Sequence, residues 1–82
     1  MHLTILTPGQ KVYEGNILSV NTPGTSGNIE ILKGHAPLVA SLANGSISVT
    51  TDKNEKLEFK TSGGFLEVIS DQVSILLEAV EK

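Results

Sequence analysis

The 82-residue chain contains no cysteine, no arginine and no tryptophan. Without cysteine there can be no disulfide and no thiolate metal site. Two histidines, His2 and His35, are too few for a zinc cluster unless carboxylates complete it. The missing arginine, the three aromatic residues and a net charge of -3 argue against nucleic acid as a partner, because that binding draws on a basic surface. No apolar run approaches the roughly 20 residues that span a bilayer. The start, MHLTILTPG, carries no cationic leader. A soluble cytosolic protein is expected, one able to work beside a membrane within a larger assembly but not inserted in it. Residues 1–82 form one small domain, and a chain of this size buries only about 60% of its unfolded surface. Small domains gain stability from disulfides, metals or partners. Here partners remain.

What is present is a rhythm. Turn-forming groups recur at Thr7-Pro8-Gly9-Gln10, Thr22-Pro23-Gly24-Thr25, Lys33-Gly34, Ala43-Asn44-Gly45, Asp52-Lys53-Asn54-Glu55, Ser62-Gly63-Gly64 and Ser70-Asp71. Short stretches rich in Ile, Val, Leu and Thr separate them, the mark of an all-β sandwich or barrel. All three prolines sit at these breaks, as their missing donor requires. Leu3 and Ile5, Leu18 and Val20, Ile29 and Ile31, Ile47 and Val49, and Leu57 and Phe59 each skip one residue. That period of two puts each pair on one strand face. Gly45–Thr51 and Lys56–Lys60 read as a hairpin across a charged loop.

Two stretches break the alternation. In Gly64-Phe65-Leu66-Glu67-Val68-Ile69 and Val73-Ser74-Ile75-Leu76-Leu77, apolar residues fall on both faces. Either the flattened sandwich has some apolar surface, or the second face meets a partner protein. The tail from Asp71 to Val80 carries both helical and strand spacing. Its β-branched content favours a strand through Leu77, followed by a frayed end or a short helical turn.

Catalytic patterns are weak. Glu14, Glu30, Glu58 and Glu67 alternate with apolar positions and read as a solvated face rather than converging acids. No Gly-x-Ser-x-Gly elbow exists. Gly24-Thr25-Ser26-Gly27 lacks the lysine and the helix of a phosphate loop and reads as a β-turn. No catalytic residue, cofactor site or metal site is expected. Lys53 at a hairpin tip leaves one alternative, a lipoyl- or biotinyl-carrier domain with Lys53 as its attachment site. Against this, the two halves of the chain are not alike and no methionine flanks Lys53.

Two stretches are more specific. Gly27-Asn28-Ile29-Glu30-Ile31-Leu32-Lys33-Gly34-His35-Ala36-Pro37-Leu38 is a glycine turn and a short apolar strand leading into Gly-His-Ala-Pro-Leu. Ser62-Gly63-Gly64-Phe65-Leu66-Glu67-Val68 contains Gly-Gly-x-Leu-Glu-Val. In this order and at this separation they resemble the epsilon-subunit family of F-type ATP synthases, called delta in mitochondria, over essentially all 82 residues. The family commonly has proline where Lys33 stands and an acid where Asn28 stands.

The resemblance implies a flattened antiparallel β-sandwich of eight to ten strands. It also implies a C-terminal helical hairpin, which would begin where these residues end and which carries the family's inhibition and nucleotide binding. Neither property is expected of residues 1–82. It further implies a non-catalytic rotor subunit of a proton-translocating synthase, on the cytoplasmic face of a bacterial membrane, between the gamma subunit and the c ring. By the same resemblance Thr25, Ser26, Gly27 and Asn28, with Gly34, His35, Ala36 and Pro37, would face the c ring. One face of the set Phe65, Leu66, Val68, Ile69, Ile75, Leu76 and Leu77 would meet gamma. His35 would be a hydrogen-bonding turn residue near that junction, with Pro37 biasing Ala36 toward extended geometry.

Overall fold

A computed structural model describes residues 1–78 and the backbone of Val80 and Glu81. Among the described residues there are nine strands: β1 (His2–Thr7), β2 (Gln10–Gly24), β3 (Gly27–Leu32), β4 (Leu38–Leu42), β5 (Gly45–Thr51), β6 (Lys56–Thr61), β7 (Gly64–Ile69), β8 (Gln72–Leu77) and β9 (Val80–Glu81). No proline falls between positions 11 and 21, and β2 runs fifteen residues, straight through Gly15-Asn16. Its first half pairs with β1 and its second half with β3 and β5. One layer is therefore β4-β7-β8-β1 with the start of β2, and the other is β3, the end of β2, β5, β6 and β9. The layers are joined again where Gly24 pairs with Leu42.

Thirteen buried apolar residues from both layers make one core cluster, including Leu3, Ile5, Val20, Ile31, Ile47, Leu66 and Ile75. Tyr13 and Phe59 pack against it, their rings 6.0 Å apart and tilted. The buried threonines Thr22, Thr51 and Thr61 carry the polar load inside. The Thr61 hydroxyl donates to the Gly63 carbonyl and accepts from its amide, while Thr51 Oγ1 accepts from the Lys53 and Glu55 amides. Burying these hydroxyls is affordable only because each is bonded.

Four sequence expectations need correction. The sandwich is not wholly antiparallel, because β1 and β8 run parallel. Leu18 and Val20 do not share a face: a bulge between Ile17 and Ser19 leaves Leu18 exposed and turns Val20 inward. The extra residue reverses the parity of everything after it. Pro23 is not at a break but within β2, opposite Asn28, and the turn falls at Thr25-Ser26. The tail forms no helical turn at Val80-Glu81, which pairs with β6 as β9; Ala79 lies outside the described residues.

Gly64 pairs with Leu77 so closely that a Cβ there would collide with the Leu76 carbonyl oxygen and lie 3.0 Å from Leu77 Cα. Backbone cannot yield as a flexible side chain can. Gly64→Ala is expected to lower the unfolding free energy by about 2–3 kcal/mol, read from urea denaturation. An unchanged midpoint would show that β7 and β8 separate there without cost.

Candidate functional site

The outer faces of the two layers differ. On the β3-β2-β5-β6 layer the outward positions are mostly polar, Asn21, Glu30, Ser46, Ser48, Glu58 and Lys60 among them, with Leu18 and Leu32 as exceptions. On the other layer Val39 is 72% exposed, Phe65 59%, Ile69 52% and Leu76 51%. Strand register makes them a patch. Leu6 stands opposite Leu76 and Leu76 opposite Phe65, so an apolar row crosses three adjacent strands. Two hollows flank the row. One, of about 380 Å³, is lined by Pro8, Gly64 and Glu78 among others; the other, of about 370 Å³, is lined by Val39 and Ser74 with Glu67 between them. Contiguous apolar surface on a small domain makes this face the candidate site.

The structure divides the doubly apolar strands cleanly. Leu66, Val68, Ile75 and Leu77 are buried in the core, while Phe65, Ile69 and Leu76 point out. Strand pleat alone dictates this split once one set is fixed inside. Val39 was not among the residues singled out from sequence. It lies in β4 opposite Glu67, and only the β4–β7 register reveals that it extends the patch.

The two polar stretches tied to the c ring by resemblance are not brought together. Thr25-Ser26 forms the tip of the β2–β3 hairpin and bonds to β4: the Thr25 amide donates to the Ser41 carbonyl, and the two hydroxyls are 2.9 Å apart. Ser26, Gly27 and Asn28 share a polar hollow of about 340 Å³ with Val39 to Ser41. Gly34 to Pro37 lie at the other end of β3. Six residues of strand span about 17–20 Å, nearly the width of a molecule measuring 26 × 24 × 20 Å.

His35 is a turn residue here. Its amide donates to the Leu32 carbonyl at 3.1 Å, and its Nδ1 lies 2.7 Å from the Ala36 carbonyl. With Gly34 at φ +84 and Lys33 at negative φ, residues 32–35 make a type II turn. Proline suits position i+1 of that turn. The other histidine belongs to a surface cluster. Glu14 takes the Lys11 ammonium at 2.6 Å and faces His2 Nε2 at 2.8 Å. Lys11 first, then His2, holds the Glu14 carboxyl below its ordinary range. Whatever this pairing adds to stability is present above the unfolded carboxylate pKa and is lost as pH falls through the folded one.

Among the described residues no group of three or more His, Asp or Glu is arranged to hold a metal ion. The geometry is that of a small all-β domain with an apolar outer face on one layer and polar turns at the two ends of β3. The chain matches, over residues 1–82, the family described as ATP synthase, Delta/Epsilon chain, beta-sandwich domain. The ATP synthase epsilon chain of Salinibacter ruber is 38% identical over 85 residues, covering 94% of this chain and 57% of the relative. That of Halalkalibacterium halodurans is 42% identical, covering 99% and 60%; that of Chlorobaculum tepidum is 38% identical, covering 95% and 89%. The chain thus spans under two thirds of the first two relatives and most of the third. A chain of the cryo-EM structure of Euglena gracilis mitochondrial ATP synthase, OSCP/F1/c-ring, superposes with TM-score 0.90 at 23% identity, covering 96% of this chain and 51% of that one. One from the Tetrahymena thermophila mitochondrial ATP synthase central stalk/c-ring gives 0.84 at 16% identity, covering 100% and 66%. At those identities the likeness concerns the fold. The chain belongs to the delta/epsilon β-sandwich family of ATP synthases. That membership displaces the carrier reading of Lys53, which sits in the β5–β6 turn.

Because Leu32 already has the extended geometry that precedes proline, Lys33→Pro is expected to stabilise the chain by about 0.4–1 kcal/mol, chiefly by restricting the unfolded state. Thermal denaturation reads it. A loss of stability would show that the Lys33 amide or side chain holds the turn.

Proposed function

We propose that this chain is the sandwich of a non-catalytic central-stalk subunit of a proton-translocating F-type ATP synthase. It links the gamma subunit to the c ring on the cytoplasmic face of a bacterial membrane and turns with them. The observation that carries this is the patch of Val39, Phe65, Ile69 and Leu76, uncovered in a family whose relatives are synthase subunits. Burying the exposed half of each side chain would recover roughly 1 kcal/mol apiece. That suffices to anchor one partner after the cost of association is met by the surrounding contacts. Gamma is assigned to this face. The c ring is assigned to the β3 side, where the Thr25–Asn28 tip and the Gly34–Pro37 loop stand at opposite ends. A partner surface about 20 Å wide reaches both. Small hydroxyl and amide groups there can bond polar loops without burying a charge.

Phe65→Ser with Leu76→Ser is expected to weaken gamma binding at least about tenfold while the unfolding midpoint stays put. Leu66→Ser or Ile75→Ser should unfold the domain. If both classes unfold it equally, the gamma assignment fails. Cysteines at Ser26 or Asn28 should crosslink to cysteines in a c-subunit loop of the assembled complex; crosslinks confined to catalytic subunits would reverse the orientation. Calorimetric titration of residues 1–82 with ATP should give no saturable heat, since Gly24–Gly27 is the end of a hairpin and not the mouth of a helix.

A further inference from the structure

We infer that the partner docks on the β7–β8 face with two long cationic side chains, each an aliphatic stem with a lysine or arginine head, seated on either side of the Phe65–Leu76 pair. The heads meet Glu67 and Glu78. The inference rests on the reading of this face as the partner interface and adds the chemistry of what occupies it.

The two hollows share one design. Each has an apolar floor that includes Leu6, Phe65 and Leu76, and each is lined by a single ionisable residue, a glutamate. Among the described residues no lysine lines either. Glu67 stands on β7 between Val39 and Ser74, and Glu78 follows β8, its amide donating to Gly63. Neither carboxylate forms an ion pair with a described residue, whereas Glu14 of the same layer is held by Lys11 and His2. Each hollow is thus an apolar trough with a carboxylate that no described residue pairs.

That combination selects among occupants. A wholly apolar surface would strip water from both carboxylates and return nothing. A second copy of this chain would bring glutamate rims together and repel. Lysine and arginine lay their methylenes along apolar surface while keeping the charged head at its edge. The exposed Phe65 ring adds a cation–π contact for either head. Gly64, which lines the first hollow, leaves its floor without a side chain.

The probe is n-butylguanidinium, with pentanoate as its anionic counterpart, titrated into the isotope-labelled chain and followed by amide NMR shifts. Butylguanidinium is expected to move Phe65, Glu67, Leu76 and Glu78, and pentanoate is not. Glu67→Gln with Glu78→Gln, both exposed positions, should weaken that binding at least about threefold without moving the unfolding midpoint. Equal response to both probes, shifts centred elsewhere, or no effect of the double variant would overturn the inference. A second arm measures gamma affinity against salt, where the double variant should flatten the dependence. Gamma binding that the variant leaves unchanged in strength and salt dependence also overturns the inference and spares the stalk reading. Probe binding as expected with no gamma binding at all supports the hollows' chemistry and sinks the stalk reading instead.

Discussion

Everything in the sandwich depends on how β2 changes sides. Fifteen residues without a break pass from one layer to the other, and strand geometry alternates side chains strictly. Before Leu18 the inward positions are odd-numbered, Tyr13, Gly15 and Ile17; after it they are even, Val20 and Thr22. The bulge at Leu18 makes that change. A second irregularity, opposite Ile5 and Leu6, sets Val12 aside near the start of the strand. With no bulge at Leu18 the second half of β2 would present Asn21 to the core and Val20 to water. Ile31, Ile47 and Val49 would then lose their central partner. The cost of the device is one exposed leucine.

Once β2 fixes the layers, the outward apolar face follows from neighbouring strands that carry more apolar residues than one face can hold. The core takes Leu66, Val68, Val73, Ile75 and Leu77, and Phe65, Ile69 and Leu76 are left over. A small domain without disulfides would gain nothing from keeping such residues wet. The proposed gamma contact would give them something to bury against. The opposite layer, with hydroxyls and charges outward, has no comparable claim on an apolar partner. The molecule therefore has two unlike sides.

Several features were legible in the residues alone because they are local. The hairpin of β5 and β6 follows from two alternating runs around Asp52 to Glu55, and the register confirms it from Gly45–Thr61 to Thr50–Lys56. The turn role of His35 follows from Gly34 before it and Ala36-Pro37 after it, and it needs no distant group. The existence of surplus apolar residues in β7 and β8 could be read from two strings of letters. The turn at Lys33-Gly34 could likewise be read from consecutive residues, although its type came from the backbone angles.

The remainder depends on pairing between distant segments. Leu18 looks like the partner of Val20 until β5 is laid beside β2 and one residue is found to be extra. Val39 looks unremarkable until β4 takes its place beside β7, far along the chain, and adds it to the patch. The parallel contact of β1 with β8 joins the two ends of the domain, and no local pattern specifies it. The sequence by itself determined an all-β domain with turns close to these places and with apolar residues to spare, because period and turn chemistry act within a few residues. Which apolar residues are spare, and that they gather beside Glu67 and Glu78, was decided only in three dimensions, because register assigns a side chain to one face or the other.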